Sequence, residues 1–184
     1  MIILIGPSAS GKTEIAQILE KNYNLKKVIT HTTREKRINE KENVDYYFVS
    51  KETFLDMIKQ NKLVEYTFYN NNYYGTSKKE ISDNKCVVLD PNGAKAFFNL
   101  HDKRIFIVNL MCSEEIRKNR MYSRLDKEES IFQRLNSDKE TFTEDKLSFA
   151  NINICSEIKS PNELAFLIYQ QYQDYLTKQD LLHY

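Results

Sequence analysis

Gly6-Pro7-Ser8-Ala9-Ser10-Gly11-Lys12-Thr13 follows directly on the apolar run Met1 to Ile5, and this stretch decides how the chain is read. It fits G-x-x-x-x-G-K-[ST], the pattern of a phosphate-binding loop. Such a loop curls so that successive backbone N–H groups point inward. The helix that follows opens with unpaired N–H groups and the positive end of its dipole aimed at the same spot. The cavity suits a polyphosphate: Gly6, Pro7, Ser8, Ala9, Ser10 and Gly11 would line it, Lys12 would reach the β- and γ-phosphates, and the Thr13 hydroxyl would ligate Mg²⁺. Context supports the match, because a β-branched apolar strand precedes the loop and a helical pattern carrying Ile15, Ala16, Ile18 and Leu19 follows it. The chain has only four glycines, and two of them stand here.

At 184 residues the chain is long enough for one sizeable α/β core and a small inserted subdomain, and short for two full domains. A formal net charge of +1, from 27 basic and 26 acidic residues, gives no global field to attract nucleic acid or a membrane surface, so any anion binding must be local. The first five residues are too short an apolar run for a signal peptide, and no later run reaches the length of a membrane span. A cytoplasmic protein is expected. Cys86, Cys112 and Cys155 are odd in number and lie in or beside expected strands, which favours small buried hydrophobes over metal ligands or a disulfide. His31, His101 and His183 lack metal-ligand spacing.

Periodicity predicts strands at Met1 to Ile5, near Lys27 to Ile29, and at Cys86 to Asp90, Arg104 to Leu110 and Ile152 to Cys155. Helical patterns alternate with them at Lys12 to Tyr23, Gly93 to Asn99, Ser113 to Ser123, Glu128 to Leu147 and Pro161 to about Lys178. Alternation of this kind means βα units and a parallel sheet with helices on both faces. Residues 32–84 break the rhythm with β-like segments at Val44 to Val49, Leu63 to Phe68 and Asn72 to Gly75 and a helix at Lys51 to Gln60, the signature of a small mixed insertion.

Within that insertion, Arg34 and Arg37 stand three apart with hydroxyls before them and Tyr46 after, a set able to clamp a phosphate through charge-assisted bonds. Glu65 lies in an otherwise half-buried apolar and aromatic strand, where a carboxylate needs a partner. Guanine is one candidate, since its N1–H and N2 amino group offer two adjacent donors to one carboxylate. A salt bridge in a Tyr-rich hairpin is the plainer alternative. Tyr74 and Thr76 stand in reach of the same region.

Three ordered segments now carry a family resemblance: Gly-Pro-Ser-x-x-Gly-Lys-Thr; then Thr-x-Thr-Thr-Arg-x-x-Arg-x-x-Glu-x-x-x-x-Asp-Tyr-x-Phe-Val; then Leu-Val-Glu-Tyr followed by Asn-Tyr-Tyr-Gly-Thr. Together they resemble guanylate kinase. The resemblance implies an α/β P-loop nucleoside monophosphate kinase fold, with a parallel core sheet flanked by helices (residues 1–31, 85–112 and 138–184), a mixed α+β GMP-binding insertion (32–84) and a helical lid (113–137). It implies transfer of the γ-phosphoryl group of ATP to GMP, with dGMP as a second acceptor, by a monomer or homodimer. By position, Arg34, Arg37, Tyr46 and Tyr74 would hold the GMP phosphate, Thr30, Glu65 and Thr76 would face the guanine, and Glu40 would support the arginine pair. Lys12 and Thr13 would take ATP and Mg²⁺. Arg120 and Arg124, one helical turn apart, would converge with Arg134 on the transferring phosphate.

Several positions depart from the family pattern. Asn43, Asn71, Ala9 and Leu125 stand where glycine is usual. In Val88-Leu89-Asp90-Pro91-Asn92-Gly93, Asp90 keeps the second of two family carboxylates, placed to reach the metal through water, while Val88 replaces the first. The stretch Ser77 to Lys85 is shorter than usual, and Cys155 takes the place of an adenine-contacting Asn. These changes leave two other readings: a related P-loop kinase with another nucleotide or a phosphorylated sugar as acceptor, and a weakly active or inactive binding module.

Overall fold

Strand β1 (Ile2–Ile5) is apolar and buried at every position, so it must run through the middle of a sheet covered on both faces. In the computed structural model, which describes residues 1–38, 40–69 and 71–181, it does so. β7 (Lys85–Val88) and β8 (Phe106–Met111) flank it, and β2 (Lys26–Lys27) and β9 (Ile152–Cys155) complete an all-parallel sheet in the order β2-β7-β1-β8-β9. The strand period of two divides the core. Ile2 and Leu4 face helices α1 (Lys12–Tyr23) and α7 (Pro161–Leu181) through Ile15, Leu19, Leu164, Ile168 and Tyr172. Met1, Ile3 and Ile5 face α3 (Pro91–Phe98) through Ala94 and Phe97, with Leu147 and Phe149 alongside. The phosphate loop therefore leaves the carboxyl end of the central strand, where ligands gather in open parallel sheets.

A second sheet, β4-β3-β6-β5, is formed by residues between β2 and β7. It comprises β3 (His31–Thr32), β4 (Tyr47–Phe48), β5 (Leu63–Tyr69) and β6 (Asn72–Ser77), with α2 (Lys51–Lys59) between β4 and β5. The Ser50 side chain caps α2 by accepting from the Thr53 N–H at 3.1 Å. α4 (Glu114–Ser123) and α5 (Glu128–Thr141) pack on each other around Met121, Ile131 and Leu135, with loop residue Ala9 against them.

Several expected boundaries move, and four of them for a visible local reason. The strand expected at Val44 to Val49 shrinks to β4, because residues 41–46 form a turn in which Asn43 takes φ 63° and its N–H bonds Tyr46 O. The strand expected near Lys27 to Ile29 stops at Lys27, since the Ile29 N–H turns to Glu80 Oε2 as the chain passes from one sheet to the other. The single helix expected over Glu128 to Leu147 breaks at Phe142, whose side chain packs on the Met1/Ile3 face, and resumes as the short α6 (Glu144–Leu147). Asp90, expected to end a strand, instead caps α3 by accepting from the Gly93 N–H at 2.8 Å. The cysteines are free, Cys86 buried and the other two half-buried. His183 lies outside the described residues.

Candidate active site

Gly11 enters α1 with φ 99°, and no side chain among the described residues caps the helix, so its first N–H groups stay available to an anion. Gly6 takes φ 147°, and a Cβ there would stand 2.5 Å from Leu110 O, so only glycine lets the loop leave β1 so close to β8. Lys12 lies back over the loop, its Nζ donating to Gly6 O at 2.6 Å and Pro7 O at 2.8 Å. Burial pushes its ammonium down to about 8, with Asp138 opposing and Arg117 reinforcing the shift. The Ser10 hydroxyl is fully buried in the loop and has no hydrogen-bond partner among the described residues, an orphan that a bound phosphate oxygen would satisfy.

On the second sheet, register gathers the candidate acceptor residues onto one face. A bulge between Leu63 and Glu65 shifts the pairing from Leu63–Ser77 to Glu65–Thr76, turning Glu65 off the face that Leu63 occupies. Glu65 then shares its face with Thr76, with Tyr74 and, through the Thr32–Tyr74 and Thr32–Phe48 pairs, with Thr32 and Phe48. Thr76 Oγ1 donates to Glu65 Oε1 at 2.7 Å. Burial is the main cause that raises the Glu65 carboxyl, and the charge of Asp90 adds to it. Arg34 sits over Tyr46, 5.5 Å from the ring centre, and donates to Glu40 Oε1 at 2.6 Å. Tyr46 meets Tyr74 edge-on at 6.2 Å. The other oxygen of Glu40 accepts the Arg37 N–H at 2.9 Å, so Glu40 orders the backbone of Arg37 while the Arg37 side chain remains exposed. The opposite face is aromatic: Phe54 of α2 stacks on Tyr73, and Gly75 leaves room for it, since a Cβ there would stand 3.0 Å from the ring and 2.8 Å from Glu65 O.

Between the two halves lies a cavity of about 440 Å³ bordered by Thr13, Thr30, Tyr46 and Val88. Loop hydroxyl and acceptor-side residues therefore share one space, and its wall carries an apolar side chain at position 88. A second cavity of about 250 Å³ runs past Ser10 and Gly11 to Arg120, Arg124, Ser156 and Lys159. Arg120 is held by Ala9 O and Ser156 O, each at 3.1 Å. Arg124 closes α4 in solvent, beside Lys12 and Thr13. Arg134 is not among them: it lies half-exposed on α5, paired with Asp126 at 3.1 Å.

Two charged residues escaped the sequence reading. Arg117 of α4 and Asp138 of α5 form a buried ion pair at 2.6 Å, and Asp138 also accepts the Ser8 N–H at 2.9 Å. The signal was there in the spacing: Arg117 precedes Met121 by one turn, and Asp138 stands in the apolar stripe Ile131, Leu135, Phe142.

Set beside known proteins, the sequence matches the guanylate kinase family over residues 1–154. The chain belongs to the guanylate kinase family. The guanylate kinase of Clostridium tetani is 37% identical over 161 residues, covering 83% of this chain and 77% of the relative. That of Rickettsia felis is 35% identical over 159 residues, covering 82% and 80%. The crystal structure of guanylate kinase from Anaplasma phagocytophilum superposes with a TM-score of 0.63 over 95% of this chain and 84% of that one, at 24% identity, and shares the fold. The protein is thus a phosphotransferase of a family that phosphorylates GMP with ATP. The four positions expected from the resemblance to replace a glycine all have a left-handed backbone: Ala9 at φ 61°, Asn43 at 63°, Asn71 at 61° and Leu125 at 60°. Asparagine tolerates that region, whereas alanine and leucine are strained in it. Among the described residues no helix is long and apolar enough to cross a membrane.

Proposed function

We propose that this chain transfers the γ-phosphoryl group of ATP to GMP, and to dGMP, in line and with Mg²⁺. The observation that carries the reading is the shared cavity, in which Thr13 of the donor loop faces Thr30 and Tyr46 of the acceptor side, next to the face that bears Glu65, Thr76 and Tyr74. Arg34, Arg37, Tyr46 and Tyr74 would hold the acceptor phosphate, with Glu40 keeping Arg34 and the Arg37 backbone in place. Glu65, held by the Thr76 hydroxyl, would accept the two adjacent guanine donors with its carboxylate, and Thr30 and Thr76 would face the base beside it. In this reading residues 32–84 are the acceptor-binding insertion, 113–137 the lid and the remainder the core.

Phosphoryl transfer asks the protein chiefly for position and charge. The acceptor phosphate is already an anion, so no side-chain base is needed. Lys12 would leave the loop carbonyls for the phosphates, Arg120 and Arg124 would approach from α4, and Arg134 would join them only if Asp126 releases it. The second cavity is the place for the donor nucleoside. No cluster of His, Cys, Asp and Glu among the described residues could hold a metal by itself. That fits an ion carried mainly by the phosphates, with Thr13 supplying one oxygen and Asp90 reaching it through water; bound there, magnesium would neutralise charge on the transferring group. Closure of the lid and insertion would exclude water.

The test is ADP release with ATP and a panel of GMP, dGMP, AMP, UMP and CMP. GMP and dGMP should turn over at least about a hundredfold better than the others, since a paired polar site rejects a base that leaves its groups unbonded. AMP turned over as well as GMP would overturn the base assignment. No turnover of any acceptor would overturn the reaction.

A further inference from the structure

We propose that Arg117 and Asp138 are positioning residues, a buried strut that fixes the outer side of the phosphate loop to helices α4 and α5, so that donor binding depends on it. The inference rests on the kinase reading. Asp138 Oδ2 accepts both the Ser8 N–H at 2.9 Å and Arg117 Nη1 at 2.6 Å, and Asp138 Oδ1 lies 3.3 Å from the Ser8 hydroxyl. Arg117 returns to the loop through Nη1, 3.5 Å from Ser8 O, and to the end of β8 through Nε, 3.2 Å from Cys112 O. One carboxylate and one guanidinium thus tie Ser8 by its N–H, its carbonyl and its hydroxyl to two helices, the first of which carries Arg120 and ends at Arg124.

Stability alone does not account for the pair. Both side chains are almost fully buried, Arg117 at 5% and Asp138 at 8% exposure, and two apolar residues of matching volume would do as well or better there. What apolar residues could not do is accept the Ser8 N–H. That bond holds the residue just ahead of Ala9, which is strained at φ 61°. Asp138 is also the charge that favours protonated Lys12. A shift of the loop would therefore misplace the N–H groups and the ammonium together, and small misplacements are costly in phosphoryl transfer.

The experiment compares Asp138→Ala, Asp138→Asn, Arg117→Leu and the double Arg117→Leu/Asp138→Ala with the unmodified chain. Titration calorimetry with a non-hydrolysable ATP analogue and with GMP is paired with thermal melting. The double variant should melt close to the unmodified protein, because no charge is left orphaned, yet bind the analogue about tenfold more weakly with GMP affinity changed less than about twofold. Asp138→Ala alone should melt lower and show the same donor defect. Asp138→Asn keeps an oxygen for Ser8 and should recover part of the affinity. A folded double variant with unchanged analogue affinity would overturn the strut, as would equal losses for analogue and GMP. If the double variant does not fold, an Asp138→Asn protein with unimpaired analogue binding overturns it instead. Analogue binding is read without turnover, so an unmodified chain that binds it but phosphorylates nothing refutes the kinase reading and leaves the strut to its own result.

Discussion

At the scale of single residues, Lys12 and the left-handed positions make the sharpest statements. A lysine whose ammonium is buried and lowered to about 8 is mostly protonated at neutral pH and loses its proton as pH rises through that value. Donor capture in the free enzyme should follow it. We expect kcat/KM for ATP to fall above about pH 8 and kcat to persist to higher pH, because bound phosphates restore the charge; rate profiles at saturating GMP check both. Lys12→Ala should reduce turnover by about a thousandfold or more, since it removes the ammonium that the loop itself holds over the donor phosphates. Leu125 tests the backbone. It is 91% exposed at φ 60°, so its side chain contributes almost no burial while its backbone is strained. Leu125→Gly should stabilise the protein by about 0.5–1 kcal/mol, the strain relieved less the extra entropy of glycine in the unfolded chain, measurable by urea unfolding.

At the scale of elements, the β5–β6 hairpin joins a rigid aromatic face to a polar one. Gly75→Ala would push a methyl against the Glu65 carbonyl and the Phe54 ring, and should cost about 2–3 kcal/mol in stability. Glu65→Gln keeps the shape but replaces an acceptor oxygen by a donor. KM for GMP should rise about a hundredfold with KM for ATP nearly unchanged, and equal losses would contradict the base assignment. Beside the hairpin, His31 is 4% exposed against Tyr47, its Nδ1 without a partner among the described residues, and burial lowers its imidazole to about 4 with Lys79 adding to the shift against Glu80 and Glu42. The unfolded chain takes up that proton near pH 6.5 and the folded one only near 4, so its stabilisation is complete above 6.5 and lost as pH falls between the two. The loss from pH 7 to pH 5 should be about 2 kcal/mol, and His31→Asn should shrink it in urea melts.

At the scale of the whole molecule, Val64 of β5 already packs against the core under α3, the two sheets border one cavity, and in the proposed function both substrates meet there. Ligands that bind only the folded state should therefore stabilise it by mass action. GMP and an ATP analogue, each at a hundred times its dissociation constant, should add about 2.7 kcal/mol apiece and raise the melting temperature by several degrees each. An additive rise would indicate independent sites; a larger combined rise would indicate closure coupling the two.

The order of elements and the loop that leaves β1 for α1 were legible in the chain because each rests on local rules: a buried strand of β-branched residues, a loop with glycine where the backbone needs it, a helix with period 3.6. The acceptor roles came from the family resemblance and not from local rules. Sequence also identified asparagine as the substitute for glycine at Asn43 and Asn71, since tolerance of positive φ belongs to the residue itself. Only the tertiary structure decided that Ala9 and Leu125 take up the same strained backbone, because packing against α4 and α5 and the turn after α4 impose it from outside. Likewise the bulge that swings Glu65 onto the face of Thr76 depends on β6 lying alongside, and the partnership of Arg117 with Asp138 joins residues 21 apart on two helices that meet only once folded. Local propensity is written in neighbouring residues; which charge ends up buried, and against what, is settled by contacts distant in sequence.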